Sequence, residues 1–220
     1  MAWTKKTYHT NTDQTREESI ASFSSEPWCA KLLTDPTLTV ELPPSRYRKP
    51  SGEDELFAHT LNNKDNVSGY LSIYKTPAPE DAVEELTLLI RLGSGLNGFP
   101  GTAHGGIVAT LLDEATGSIL VLNMLRGVWP MIPAMTAYLN TTFIKPVPTS
   151  ATVLARARIN KIDGRKVFLS AVIEDALRRV FLQRERETGQ GSFLKHASLQ
   201  APVRSLTDGW AALGHAVTLR

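Results

Sequence analysis

The run from Ile107 to Leu125 constrains this chain more than any other feature. Its apolar residues, at positions 107, 108, 109, 111, 112, 115, 119, 120, 121, 122, 124 and 125, cover most of a helical circumference. A surface helix carries one apolar stripe, whereas a helix apolar on most sides must be surrounded. About 20 residues at ~1.5 Å each give ~30 Å, the width of a small domain. Asp113, Glu114 and Asn123 interrupt the run. Acids in the middle of a lone membrane span cost ~2.5–3.5 kcal/mol each on insertion scales. The sequence therefore predicts a buried helix in a soluble core, with no membrane span.

Something must wrap that helix, and the flanking segments supply it. "EELTLLIRLG" is a strand candidate, "GSGLNGFPGTAHGG" a long glycine-rich loop, and the helix runs from Gly106 to about Leu125. "MTAYLNTTFI" then alternates, with Thr136, Tyr138, Asn140 and Thr142 on one face and Ala137, Leu139, Thr141 and Phe143 on the other. "ATVLARARINKI" alternates too, Asp163-Gly164 is a hairpin signal, and "KVFLSAVIEDA" returns as its partner. A last strand is expected within Gly191 to His196, after a charged insert, "QRERETG". Strands joined by short turns pair antiparallel, so the class is α+β: a curved antiparallel sheet wrapped around one long central helix.

The N-terminal part reads differently. Residues 1–55 form an extension and linker, 56–200 the domain proper, and 201–220 a tail. "SSEPWCAKLLTDP" suggests a short helix stopping before Pro36, and "LPPSRYRKPSGED" an extended linker. Phe57 to Tyr74 suggests a hairpin broken by "NNKDN". Lys5, Lys6 and Arg16 are mixed with Asp13, Glu17 and Glu18, whereas a mitochondrial presequence is poor in acids. A cytoplasmic location is expected, with the mitochondrion as the alternative.

Several function classes drop out. A formal net charge of +2 without basic-aromatic interleaving gives no nucleic-acid partner. Cys29 is the single cysteine, so no intrachain disulfide forms. The five histidines are scattered with no ligand spacing, so neither metal nor cofactor is expected. The G-x-S-x-G elbow of serine hydrolases is absent.

"NGFPGTAHGGIVATLLDEATG" resembles the signature of the PaaI-like acyl-CoA thioesterases of the hotdog superfamily. In that group a His-Gly-Gly opens the central helix and an Asp lies nine residues after the His, the spacing of His104 and Asp113. "MTAYLNTTFIKPVP" is similar to the strand that follows in the family, with Thr136 in its hydroxyl position. The resemblance covers about residues 84 to 196, and the N-terminal third resembles extensions on fungal members. Two departures stand out. Many relatives carry an Asn six residues before the His, where Asn97 lies seven before, and "RERETG" interrupts the final strand.

The resemblance implies hydrolysis of an acyl-CoA thioester. Asp113 would act as general base on water, or attack directly to give an anhydride. The Gly105 N–H, with Gly106, would polarise the carbonyl from the positive helix end. Thr136 would hold the water or steady Asp113, His104 would order the loop, and Asn97 and Gly106 would meet substrate. Gly105 and Asp113 lie ~12 Å apart along one helix, too far for one carbonyl to touch both. The site must then be shared between chains, making the protein an obligate homo-oligomer, dimer or tetramer. Glu114 lies ~100° round the helix from Asp113 and is expected to be structural, paired with a cation or the partner chain. Arg156, Arg158, Lys161, Arg165, Lys166 and Lys195 are cations near the late strands, none assigned to the CoA phosphates. Two rivals remain: an acyl-binding hotdog module without chemistry, and a hotdog dehydratase, whose catalytic His would stand where this chain has Gly98.

Overall fold

The computed structural model describes residues 15–176 and 180–190. Among them, α1 (Arg16–Phe23) and α2 (Pro27–Leu33) precede β1 (Leu38–Glu41), β2 (Val67–Lys75) and β3 (Glu85–Leu92). A small ribbon, β4 (Asn97–Phe99) and β5 (Thr102–Ala103), leads into α3 (Gly105–Leu125). Then come β6 (Ala134–Phe143), β7 (Ala151–Asp163), β8 (Lys166–Glu174) and β9 (Val180–Gln190). The main sheet runs β1-β2-β3-β7-β8-β9-β6. Every pairing in it is antiparallel, as the short connections require.

Around β3 the sheet is covered on both faces, which explains why "LTLLIRL" there is nearly continuous in apolar residues. Leu88 and Ile90 face inward and join Leu111, Leu112, Ala115, Ile119, Val153 and Leu169 in the main core. Leu89 faces outward and joins Phe23, Cys29, Val40, Leu71 and Leu154 in a second cluster beneath α1 and α2. By length and composition α3 could cross a bilayer. Here it lies against β3, β7 and β8, its apolar circumference consumed by the core. Burying each such leucine contributes ~1.5–3 kcal/mol.

Local chemistry fixes the ends of these elements. Thr15 and Glu18 form a reciprocal capping box on α1, whose mixed charges gave no helical signal in the sequence. Pro27 opens α2, where its missing N–H costs no hydrogen bond. Asp163 pairs with Lys166, so Gly164 and Arg165 form the hairpin turn, with Gly164 at φ 57°.

Several expectations are corrected. The segment read as a linker is not solvated: Arg46 is 1% exposed and donates to the carbonyls of Phe57 (2.8 Å) and Val67 (2.6 Å). Phe57 to Tyr74 is not a hairpin but a helical turn at Leu56–Thr60 followed by β2. "QRERETG" is no insert, because it lies within β9 and pairs with β8 and β6. The strand expected within Gly191 to His196, the tail 201–220 and residues 1–14 lie outside the described residues.

The alternation of β6 also breaks. Thr136 pairs with Thr188 and Tyr138 with Glu187, so Ala137 is the extra residue of a β-bulge. Beyond it the faces exchange. Leu139, Thr141 and Phe143, not Tyr138, share the side of Thr136.

Candidate active site

Two elements bring the site together, the start and middle of α3 and the strand β6. His104 is the N-cap of α3, in extended conformation, and its ring Nδ1 accepts the Gly106 N–H at 3.0 Å. The ring therefore carries its proton on Nε2 when it caps. Its own backbone N–H reaches Leu96 O at 2.8 Å, tying the cap to the glycine-rich loop. The loop must pass close: a Cβ on Gly98 would stand 2.9 Å from His104 Cα. No side chain fits there without moving backbone, so the dehydratase reading loses the position of its base.

This cap corrects one expectation. The Gly106 N–H is already spent on His104, and it is not available to a substrate oxygen. Gly105 keeps that capacity, since among the described residues no acceptor stands against its N–H. A Cβ on Gly105 would lie 3.4 Å from Phe143 Cε1, so β6 passes the helix start at van der Waals distance.

Two turns further along, Asp113 is half-buried and Thr136 Oγ1 donates to its Oδ1 at 3.2 Å. The two residues are 23 apart in sequence. They meet because the strand after the helix returns along it as the sheet edge. Asn97 does not join them. It lies exposed in β4, and its Oδ1 accepts from Thr149 Oγ1 at 2.5 Å.

Glu114 has a different environment. Its carboxylate is enclosed, and its Oε1 accepts from Ser45 Oγ and, at 3.3 Å, from Ser118 Oγ. Burial pushes the carboxyl above its ordinary range, and the hydroxyls pull it partly back. Its hydrogen-bond donors among the described residues are hydroxyls of its own chain. Arg46 stands next to this cluster, stacked 5.2 Å above the Tyr70 ring, and burial lowers it to about 10. The Tyr70 hydroxyl is buried beside Glu114 but makes no well-formed hydrogen bond. Burial first, and the charge of Glu114 second, push it well up. Ser45 gives no signal in the sequence, because a serine in a proline-rich, charged stretch looks like a turn residue.

The late cations are largely committed. Arg156 pairs with Glu174 at 2.7 Å and Glu85 at 2.9 Å, and Lys161 with Asp163 at 2.8 Å. Arg158 donates to Asn160 at 3.0 Å, and Lys195 lies outside the described residues. Cys29 is buried, and its thiol is pushed up to about 12, chiefly by that burial. It is a packing residue, not a nucleophile.

A long helix cradled by an antiparallel sheet, with a His-capped glycine start and an Asp facing the following strand, defines a hotdog protein of the α+β class. Residues 100–181 match the model of the thioesterase superfamily. The acyl-coenzyme A thioesterase THEM4 of Mus musculus is 41% identical over 93 residues, covering 42% of this chain and 37% of that protein. The THEM4 of Xenopus laevis is 33% identical over 132 residues, or 60% of this chain and 52% of its own length. A Candida albicans protein, called uncharacterized and mitochondrial, is 33% identical over 93 residues, 41% of this chain and 38% of that one. Among solved structures, the Escherichia coli PaaI protein from the phenylacetic acid degradation operon shares 13% identity at a TM-score of 0.43, over 50% of this chain and 79% of its own. Over residues 100–181 this chain is thus similar to the thioesterase superfamily. It spans 37% to 52% of the length of the two THEM4 relatives.

Proposed function

We propose that this chain is an acyl-CoA thioesterase that hydrolyses a thioester to the free acid and coenzyme A. The observation that carries the proposal is the 3.2 Å hydrogen bond from Thr136 to Asp113. A threonine that donates to a carboxylate oxygen fixes the orientation of that carboxylate. Asp113 takes a proton from a water as its oxygen attacks the thioester carbon. The carbonyl oxygen gains charge and is met by the Gly105 N–H at the positive end of a helix. Collapse of the tetrahedral intermediate expels the CoA sulfur, which leaves with the proton Asp113 has held. His104 orders the helix start and does not touch substrate.

Gly105 and Asp113 are eight residues apart on one helix, ~12 Å, so one carbonyl cannot reach both within a chain. The oxyanion donor is therefore the partner subunit's Gly105, and the working unit is a homodimer or a tetramer of such dimers. An edge strand with Met135 66%, Tyr138 43% and Phe143 58% exposed supports this. An apolar edge that no strand among the described residues covers invites a second strand. The mitochondrial label of the fungal relative supports a mitochondrial location over the cytoplasmic one expected from the acidic N-terminal residues.

The test is a panel of acyl-CoA esters of differing chain length, with thiol release followed by a chromogenic disulfide. Hydrolysis of at least one member is expected. Binding without hydrolysis across the panel would replace the enzyme with an acyl-CoA-binding module.

A further inference from the structure

The mechanism leaves Glu114 idle, yet it is the better enclosed of the two adjacent acids. Consecutive helical residues point ~100° apart, so the pair faces two neighbours. Asp113 faces β6 and accepts from Thr136. Glu114 faces the single helical turn Pro44–Arg46 and accepts from Ser45 and Ser118. That turn is itself anchored: Lys49 Nζ donates to Pro44 O at 3.0 Å, and Arg46 holds the carbonyls of Phe57 and Val67. Ser45 is 7% exposed and Arg46 1%. The charged and titratable groups around the carboxylate are Arg46, Asp54 and Tyr70.

We propose that Glu114 is a positioning residue for Asp113: held by Ser45 on one side of α3, it sets the rotation at which Asp113 meets Thr136 on the other. This rests on the reading of Asp113 as the base. The lever is short and steep. Turning a helix by about 10° moves a carboxylate ~6 Å from its axis by ~1 Å. A misplacement of ~1 Å at a reacting group can cost ~10²-fold in rate. The apolar packing of α3 resists translation well, but a helix apolar all round has many similar rotations. A polar contact with one directional acceptor selects among them. The segment between β1 and β2 thereby becomes part of the active site without touching substrate.

The experiment compares Ser45→Ala, Ser45→Thr and Glu114→Gln in the full chain, with kcat, KM and thermal midpoints measured together. Ser45→Ala should lower kcat about tenfold with KM within about twofold, and Ser45→Thr, which keeps the donor hydroxyl, should recover most of the loss. Glu114→Gln, which keeps an acceptor for Ser45, should lose less than Ser45→Ala. In an Asp113→Asn background Ser45→Ala should add nothing to the residual rate, because the group it aims is gone. A lowered melting point with unchanged kcat in Ser45→Ala, or the same fold-loss in both backgrounds, would overturn the proposal. If Asp113→Asn alone turns over like the wild type, the base assignment has failed, and a crystal structure of Ser45→Ala decides positioning by itself. A Thr136–Asp113 hydrogen bond opened beyond bonding range supports it, and one left at 3.2 Å refutes it.

Discussion

The two sides of α3 are finished to different degrees. On the side of β1 and the N-terminal helices the chain completes itself. Ser45, Arg46 and Tyr70 are buried, the outer sheet face is roofed by Phe23, Cys29 and Val40, and Glu114 has intramolecular donors. On the side of β6 the described residues leave it open: Met135, Leu139 and Phe143 lie 66%, 37% and 58% exposed along a strand that, among the described residues, is paired on one edge. The closed side gives rigidity. The open side holds Asp113, Thr136 and Gly105, the residues proposed to do chemistry. Apolar surface beside the residues proposed to be catalytic fits the proposed second copy, and the difference between the sides separates scaffold from candidate site.

That contrast can be broken at three points, the largest effect first. Leu139→Asp places a charge on the open edge. It should turn the oligomer into monomers, seen by sedimentation, and abolish turnover while the melting transition persists. A monomer that hydrolyses normally would mean that each chain holds a whole site. Asp113→Asn should lower kcat by about 10² or more with an unchanged circular dichroism spectrum, the range of general-base effects. Full activity would move the base elsewhere.

The smallest effect tests the closed side through pH. The folded-state pKa of Glu114 is raised above its ordinary 4.5. Below that value both folded and unfolded chains carry the proton, and the group costs nothing. As pH rises from 4.5 through the folded pKa, the unfolded chain ionises first, so this group removes stability over that window. Glu114→Gln cannot ionise, and its thermal midpoint relative to the wild type should climb between pH 4.5 and neutrality. A pH-independent difference would show that the carboxyl is not desolvated.

Much of this was legible in the residues, for definite reasons. Helix α3 declares itself because its apolar positions exceed one stripe, and β7 and β8 because polar and apolar residues alternate about a Gly turn. The His104-Gly105-Gly106 to Asp113 spacing likewise points to the candidate site from the sequence alone. Three features were not legible. β9 carries so many charges that it reads as a loop, yet strand pairing runs through backbone groups and needs no apolar side chain. The bulge at Ala137 leaves no mark in "MTAYLNTTFI", and it reverses which residues accompany Thr136. Arg46 and Lys49 look solvated from composition, because only folding brings carbonyls and Asp54 to meet them.

The sequence by itself determined that one helix must be buried, that an antiparallel sheet must wrap it, and that Asp113 stands two turns from a glycine-opened helix end. These follow from periodicity and covalent spacing, which are local. Tertiary structure alone decided what each acid faces. Neighbours in sequence diverge by ~100° on a helix, so Asp113 and Glu114 took their surroundings from segments 23 and 69 residues away. No local pattern encodes which distant hydroxyl arrives, because that depends on strand order, register and one extra residue in β6.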